Sequence, residues 1–432
     1  MNKSLRAILL VVALLVSMVG AAMPAGAEAK KFDVTLNVVG VNNVISDVIL
    51  ARQDELYEEL GIRINFQQFS NEQASNKLAV SFAAGGTDVD AFMFRPLDET
   101  LLFVQNGWLE DLQPYIDADP EAADIADYYE ASLGVCKDPS TGHIVGFPLM
   151  VESAVVFYNK TMFAEKGIET LPTTMDELYE VAGLLNDPDN DICGFACRGS
   201  GNPSVTQFSC FLRAFGGDFF DENGNAAINT PEAIAAFEFY GKILRDYGPD
   251  GVLNMGWTDT WNLFTQGMAA MRLDANTNMG SWDPDNSLLT LDEIGYFQVP
   301  VGPNGDHGDF QITAWAVGVS AGSQNKEAAY AFANWVASSD MQIEVQTKGG
   351  SGARKSCWAE NYSGWPRELQ EVSNEAGLVA SSTDRPYMIN VAKARDIIGE
   401  VVVAAIEGNV DIAELANEKN AEFQAIIDSE KA

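Results

Sequence analysis

The side chains best suited to hold a polar solute are acids and guanidiniums at the ends of apolar runs. Asp274 follows Ala269, Ala270, Met271 and Leu273, and Arg198 closes the run that starts at Ile192. Short apolar runs bounded by turn residues read as buried strands, and ligands of α/β proteins collect beyond the carboxyl ends of such strands. A carboxylate accepts hydrogen bonds and a guanidinium donates them in a fixed fork; bonds with a charged partner are the stronger kind. Sugars and polyols use both, and they lay their C–H faces on aromatic rings. Trp257, Trp282 and Trp315 are aromatic candidates, although large aromatics more often belong to a core. Each polar candidate also has a plainer reading: Asp274 as a turn-former before Asn276, Arg198 as half of a salt bridge. Asn42 and Asn43, just after the first strand, offer amides.

Signals for catalysis are sparse. The sequence has no Walker A loop and no zinc-type pair of histidines. A glycosidase needs two carboxyl groups facing each other across a bond, and among 62 acidic residues nothing singles out such a pair. Cys193 and Cys197 look like half of a metal site, but no second pair follows, and His143 and His307 sit in unrelated turns. On a strand these two cysteines stand about 13 Å apart at ~3.3 Å per residue, too far to bridge each other. The five cysteines are read as buried small hydrophobes, with room for one disulfide among them. No metal and no cofactor is called for.

The elements that must position these groups alternate strand and helix, which predicts an α/β fold. Strands are expected over 32–39, 63–69 and 90–94, with helices over 44–60 (stopped at Gly61), 73–84 and 97–106. Beyond Lys160 the pattern restarts. Thr174-x-x-Glu177 is a capping box, and Thr230-Pro231 opens a helix running to Arg245. Further strands follow over 192–198 and 294–300, then Ala314 to Val319 leads into another helix.

The chain begins with Lys3 and Arg6, an apolar stretch from Ala7 to Val19, and Ala25-Gly-Ala27, the pattern of a cleaved signal peptide over 1–27. No lipobox cysteine accompanies it, so a periplasmic or secreted protein without a membrane anchor is expected. The formal net charge of -36 repels nucleic acid and anionic lipid.

Gly146 to Lys160 carries a Gly-x-Pro turn, the acidic Glu152, a strand and Tyr-Asn-Lys. Met162 to Gly167 and Leu171 to Leu178 follow it. In order and spacing these resemble the middle of the family 1 extracellular solute-binding proteins, the maltose-binding-like receptors of ABC importers. Gly85 to Asp90, Gly107 to Tyr115, Phe264 to Met271 and Gly318 to Trp335 are similar to further landmarks of that family. Shorter pieces, Ala196 to Gly199, Tyr247 to Gly251, Arg272-Leu-Asp274, Asp283 to Ser287, Arg354-Lys-Ser356 and Arg385-Pro386, resemble its polyol and sugar receptors of the mannitol and sorbitol type. Cys197 and Asn202-Pro203 depart from that pattern.

The resemblance implies a type II periplasmic-binding-protein fold with two lobes. Each lobe would be a mostly parallel sheet flanked by helices, and about three hinge crossings would join them. It implies an N-terminal lobe of 28–150 plus 315–350 and a C-terminal lobe of 151–314 plus 351–432. It places Glu152 at the hinge facing the cleft, Arg354 at the third crossing, and Phe94 where an aromatic stacks on sugar. Two of Phe94, Trp257, Trp282 and Trp315 are expected in the cleft. The implied function is capture of a sugar or polyol by a monomer that delivers it to ABC permease subunits and their ATPase, with no reaction. Two rivals remain: a receptor of the same fold for an organic acid, with Arg198 and Arg354 both in the pocket, and a secreted carbohydrate-active enzyme.

Overall fold

The computed structural model describes residues 31–359 and 365–431. The expected signal segment lies outside the described residues. Among the described residues eight strands form one sheet: seven lie in the order β2-β1-β3-β8-β4-β6-β5, and β7 pairs with β4 off this path. They are β1 (Val34–Val41), β2 (Ile62–Phe69), β3 (Ala91–Phe94), β4 (Phe147–Asn159), β5 (Cys193–Ala196), β6 (Ala269–Ala275), β7 (Ile294–Phe297) and β8 (Gln311–Val319).

The long strand β4 belongs to both halves of the sheet. From Phe147 to Ser153 it pairs with β8; from Ala154 onward it pairs with β6 on one edge and β7 on the other. Side chains of a strand alternate between faces, and β4 buries both. Val155 and Phe157 join one core, while Ala154 and Val156 join the other. Strand β8 is antiparallel to both β3 and β4. Only β1–β2, β1–β3 and β5–β6 are parallel, so the sheet is mixed rather than mostly parallel. The reason is that β8 runs against both β3 and β4, and β4 in turn runs against β6 and β7.

Several helix signals hold in detail. Thr174 and Glu177 form the capping box, and Thr230 caps the helix Pro231–Tyr247. The helix expected over 44–60 breaks at Arg52 into Val44–Ala51 and Gln53–Leu60, and Gly61 ends the second piece at φ 71. The helices Lys326–Val336 and Ser339–Thr347 pack on β1, β3 and the helix Val44–Ala51, in the first half. The helix Val391–Glu407 packs on Gly201–Ala214 and Pro231–Tyr247, in the second. There Gly241 lies so close to the Ala405 carbonyl that a Cβ would stand 2.2 Å from its oxygen. Past the boundary expected at 350, Lys355 and Ser356 bond to Asp127.

Asp309 sits at the root of β8. It is fully buried; Oδ1 accepts from the Val299 amide at 3.4 Å and Oδ2 has no hydrogen bond, with His307 Nδ1 3.7 Å away. Burial pushes its carboxyl up to about 7. The folded chain therefore keeps a proton that the unfolded chain releases near pH ~3.9. The contribution to stability is full below that value, falls as pH rises toward about 7, and then levels. Asp309→Asn is expected to raise the urea midpoint at pH 8 by the equivalent of about 1–3 kcal/mol and to change it little at pH 4. Equal shifts at both pH values would contradict this account.

Candidate functional site

A cavity of about 290 Å³ opens between β4, β8 and the start of two helices. Glu152 enters it from β4, and the run Ile312 to Trp315 forms one wall from β8. Across from them lie Arg95, Leu97 and Asp98, where β3 gives way to the helix Pro96–Gln105. Proline at the first helical position presets that turn, and Glu99 accepts from the Arg95 amide at 2.6 Å. Asn71 opens the helix Asn71–Ala83 after the Ser70 capping box. The last lining group, Arg385, comes from the connection between the helices Arg367–Val379 and Val391–Glu407.

The guanidinium groups on this wall are already paired. Arg385 grips Asp384 through two bonds, Nε to Oδ1 at 2.6 Å and Nη2 to Oδ2 at 2.8 Å, and its Nη1 reaches Asp98 at 3.4 Å. Arg95 pairs with the same Asp98. Burial opposes ionisation of Asp384, but the pull of Arg385 and Arg395 outweighs it and holds the carboxyl well below the usual range. Glu152 differs: no side chain bonds it directly. Burial and then Asp384 raise its proton affinity, and the more distant Arg198 and Arg385 only partly offset them. A carboxylate in this state has its acceptor capacity free for a solute in the cavity.

Behind Glu152 lies a second ionic layer. Asp274, at the end of β6, is fully buried and accepts five bonds. Arg198 supplies two, Nε at 3.0 Å and Nη2 at 2.6 Å; Arg272, Gln207 and the Ala275 amide supply the rest at 2.8, 3.1 and 2.8 Å. Burial alone would raise the Asp274 carboxyl, but Arg198 and Arg272 together bring it below its ordinary value. Arg272 is held by Thr260, the Trp257 carbonyl and Asn278, and its guanidinium stands 5.3 Å from the Trp261 ring centre. Burial pulls Arg272 down to about 10, against the attraction of Asp274. Asp274 has no capacity left for a ligand. It anchors two arginines, and of the two readings of Arg198 the salt bridge is the one observed.

Comparison with known proteins bears on what this cavity belongs to. Residues 44–343 match the family described as bacterial extracellular solute-binding protein. The chain belongs to that family. The mannitol-binding protein of Pseudomonas aeruginosa is 27% identical over 340 residues, 76% of this chain and 76% of its own. A solute-binding protein of Agrobacterium radiobacter K84, solved in complex with ribitol, superposes with a TM-score of 0.73 at 24% identity, covering 91% of this chain and 98% of that one. The sugar-binding protein MalE of Xanthomonas citri gives 0.80 at 18% identity over 92% and 98%. These likenesses establish the type II, two-lobed fold, and β4 is the strand that pairs in both halves of the sheet.

Within this solute-binding fold several expected contacts lie elsewhere. Phe94 is fully buried, packed on Phe92 and Phe103 at 5.8 and 6.1 Å between ring centres, and cannot stack on a sugar. Arg354 is also buried. It donates to the carbonyls of Ala337, Asp124 and Ala123 and covers the Tyr128 ring at 4.2 Å, so it ties the C-terminal ends of two helices together. Trp282 donates to the Leu289 carbonyl at 3.1 Å and packs against the first core. Trp257 is 42% exposed but outside the cavity wall; its carbonyl serves Arg272. Asn42 is exposed and bonds Phe69 through its backbone, while Asn43 spends its side-chain oxygen capping the helix Val44–Ala51. Glu152 and Trp315 do line the cavity. Arg385, Asp98, Arg95 and Asn71 were missed, although the Arg95-Pro96 and Ser70-x-x-Gln73 helix starts marked where the last three sit.

All five cysteines are buried and free, so the one disulfide allowed for is not formed. Among the described residues no acidic, histidine or cysteine cluster could hold a metal ion, and no helix is long and apolar enough to cross a membrane.

The ionic layer predicts a contrast between two carboxylates. Asp274→Asn leaves two buried guanidiniums without a counter-ion and should cost about 3–5 kcal/mol, read as a large fall in Tm by calorimetry. Glu152→Gln removes only an unpaired charge and should leave Tm unchanged or higher. Equal Tm values for the two variants would show that Asp274 is not the anchor.

Proposed function

We propose that this protein is the substrate-binding component of an ABC importer and that it captures a sugar or polyol in the cleft beside Glu152. The observation that carries this reading is the charge state of the cavity. Its arginines are neutralised within the protein, and among its charged lining residues Glu152 is the one without an ion pair. Such a wall offers hydroxyl donors and acceptors but no net positive charge for an anion. An organic-acid receptor would need Arg198 and Arg354 free in the pocket, and both are committed elsewhere. The cavity volume of about 290 Å³ sits at the small end of small-molecule sites and suits one sugar unit or a short alditol. The named ligands of the relatives, mannitol and ribitol, are of that kind.

Closure follows from the same layout. Glu152 rides on β4, which both lobes share, while Arg385 and Asp98 come from segments on opposite sides of the cleft. A solute that bonds both sides favours the shut form by its added contacts. The shut form then presents a composite surface to permease subunits, whose ATPase gives transport its direction. The protein acts as a monomeric receptor in the periplasm or outside the cell, and it transforms nothing.

A thermal-shift screen of alditols, monosaccharides and small organic acids tests the reading. One neutral compound at about 100 times its Kd should add ~2.7 kcal/mol to stability, seen as a clear rise in Tm, with no product formed. Glu152→Gln should abolish the rise. Stabilisation by acids alone, or an undiminished response of the Gln variant, would overturn it.

A further inference from the structure

Four charged side chains line the cavity: Arg95, Arg385, Asp98 and Glu152. Asp98 is the one that touches both arginines. It stands in the first turn of the helix Pro96–Gln105, in the lobe built on β1 to β3. Arg385 is presented from the other lobe, where Asp384 is buried and anchored among Arg395, Thr206 and Arg385 itself. The carboxylate of Asp98 is 23% exposed, so it acts at the cavity wall rather than deep in a core.

A guanidinium carries five N–H donors. On Arg385 three are engaged, two with Asp384 and one with Asp98, which leaves one each on Nη1 and Nη2. Donors of this kind suit hydroxyl oxygens, provided the accompanying charge is cancelled. Without Asp98, Arg385 would keep Asp384 but lose its second carboxylate, and Arg95 would lose the partner seen here and stand uncompensated on the wall. The field of such a wall favours a carboxylate or phosphate, since anions pair with guanidinium in its forked geometry.

We propose that Asp98 is the specificity-determining residue of the cleft: it cancels the charge of Arg95, as Asp384 cancels that of Arg385, leaves their donors available to a neutral polyhydroxy compound, and so excludes anionic sugar acids. This deepens the sugar or polyol reading and rests on it. Specificity here comes from removing an attraction for the wrong ligand as much as from contacts to the right one.

The test compares ribitol and D-mannitol with the matching aldonates, ribonate and mannonate, by titration calorimetry on the full protein. Wild type should bind a neutral member and give no measurable heat with its aldonate. Asp98→Asn, which keeps the shape and removes the charge, should shift the aldonate-to-alditol affinity ratio by about tenfold or more. Added salt should shrink that gain, and Asp98→Glu should restore the original preference. The Tm of each unliganded variant, read alongside, shows that the fold is intact; a structural role alone would alter both affinities together and leave their ratio fixed. An unchanged ratio in Asp98→Asn, or a wild type that binds aldonate as tightly as alditol, overturns the proposal while leaving receptor function standing. A wild type that binds no neutral sugar or alditol of a wider panel refutes the functional reading itself, and this proposal with it.

Discussion

Two sheet halves must share one strand, and most of the architecture follows from that constraint. Strand β4 runs 13 residues and trades one partner for two others at Ala154, so its backbone bonds tie the lobes together whatever the side chains do. Sharing forces burial on both faces, because helices of each lobe cover it. Glu152 is the exception along this strand: a partly exposed carboxylate next to the changeover. A charge at that place would be costly if it faced a core. It is tolerated because the strand there borders the cavity.

Electrostatics then divides into two layers with different tasks. The inner layer, Asp274 with Arg198 and Arg272, is held by several bonds, and its worth lies in rigidity: the carboxylate at its centre accepts from both arginines. The outer layer, Asp98 and Asp384 with Arg95 and Arg385, is only partly saturated and partly wet. A fixed inner layer keeps Arg198 near Glu152 at a set distance, so the carboxylate sits in a steady field as solute arrives. Preorganised polar groups need no rearrangement at binding, which lowers the cost of association.

Much of this was legible in the sequence, and the failures have physical causes. Capping residues such as Thr174, Glu177 and Thr230 act locally, so their reading survived folding. The helix break at Arg52 escaped notice because no Pro or Gly marks it. The mostly parallel sheets implied by the resemblance gave way to mixed ones because alternation of strand and helix says nothing about the direction of β4 and β8. Asp274 and Arg354 were expected to meet solute, since a charged residue at a strand end looks available. Their partners, Gln207 and Arg272 for one and the carbonyls of Ala123 and Ala337 for the other, lie far along the chain or next to it without any spacing rule. Phe94 was misplaced for a related reason: the end of a strand and the mouth of a cleft are one residue apart here, and it is Arg95 that emerges. Arg385 was noticed only as part of a short motif, for its role depends on Asp98, a residue 287 positions away.

The five thiols carry a consequence for handling this molecule. Cys136, Cys193, Cys197, Cys210 and Cys357 are all sealed inside, and burial makes each reluctant to become the reactive thiolate. Packing, rather than pairing, is what protects them from oxidants. Loss of that packing exposes an odd number of sulfurs at once, so at least one always remains to attack a neighbour's. Heat inactivation in air should therefore proceed through scrambled cross-links and aggregates, whereas a reducing buffer lets the same chain return.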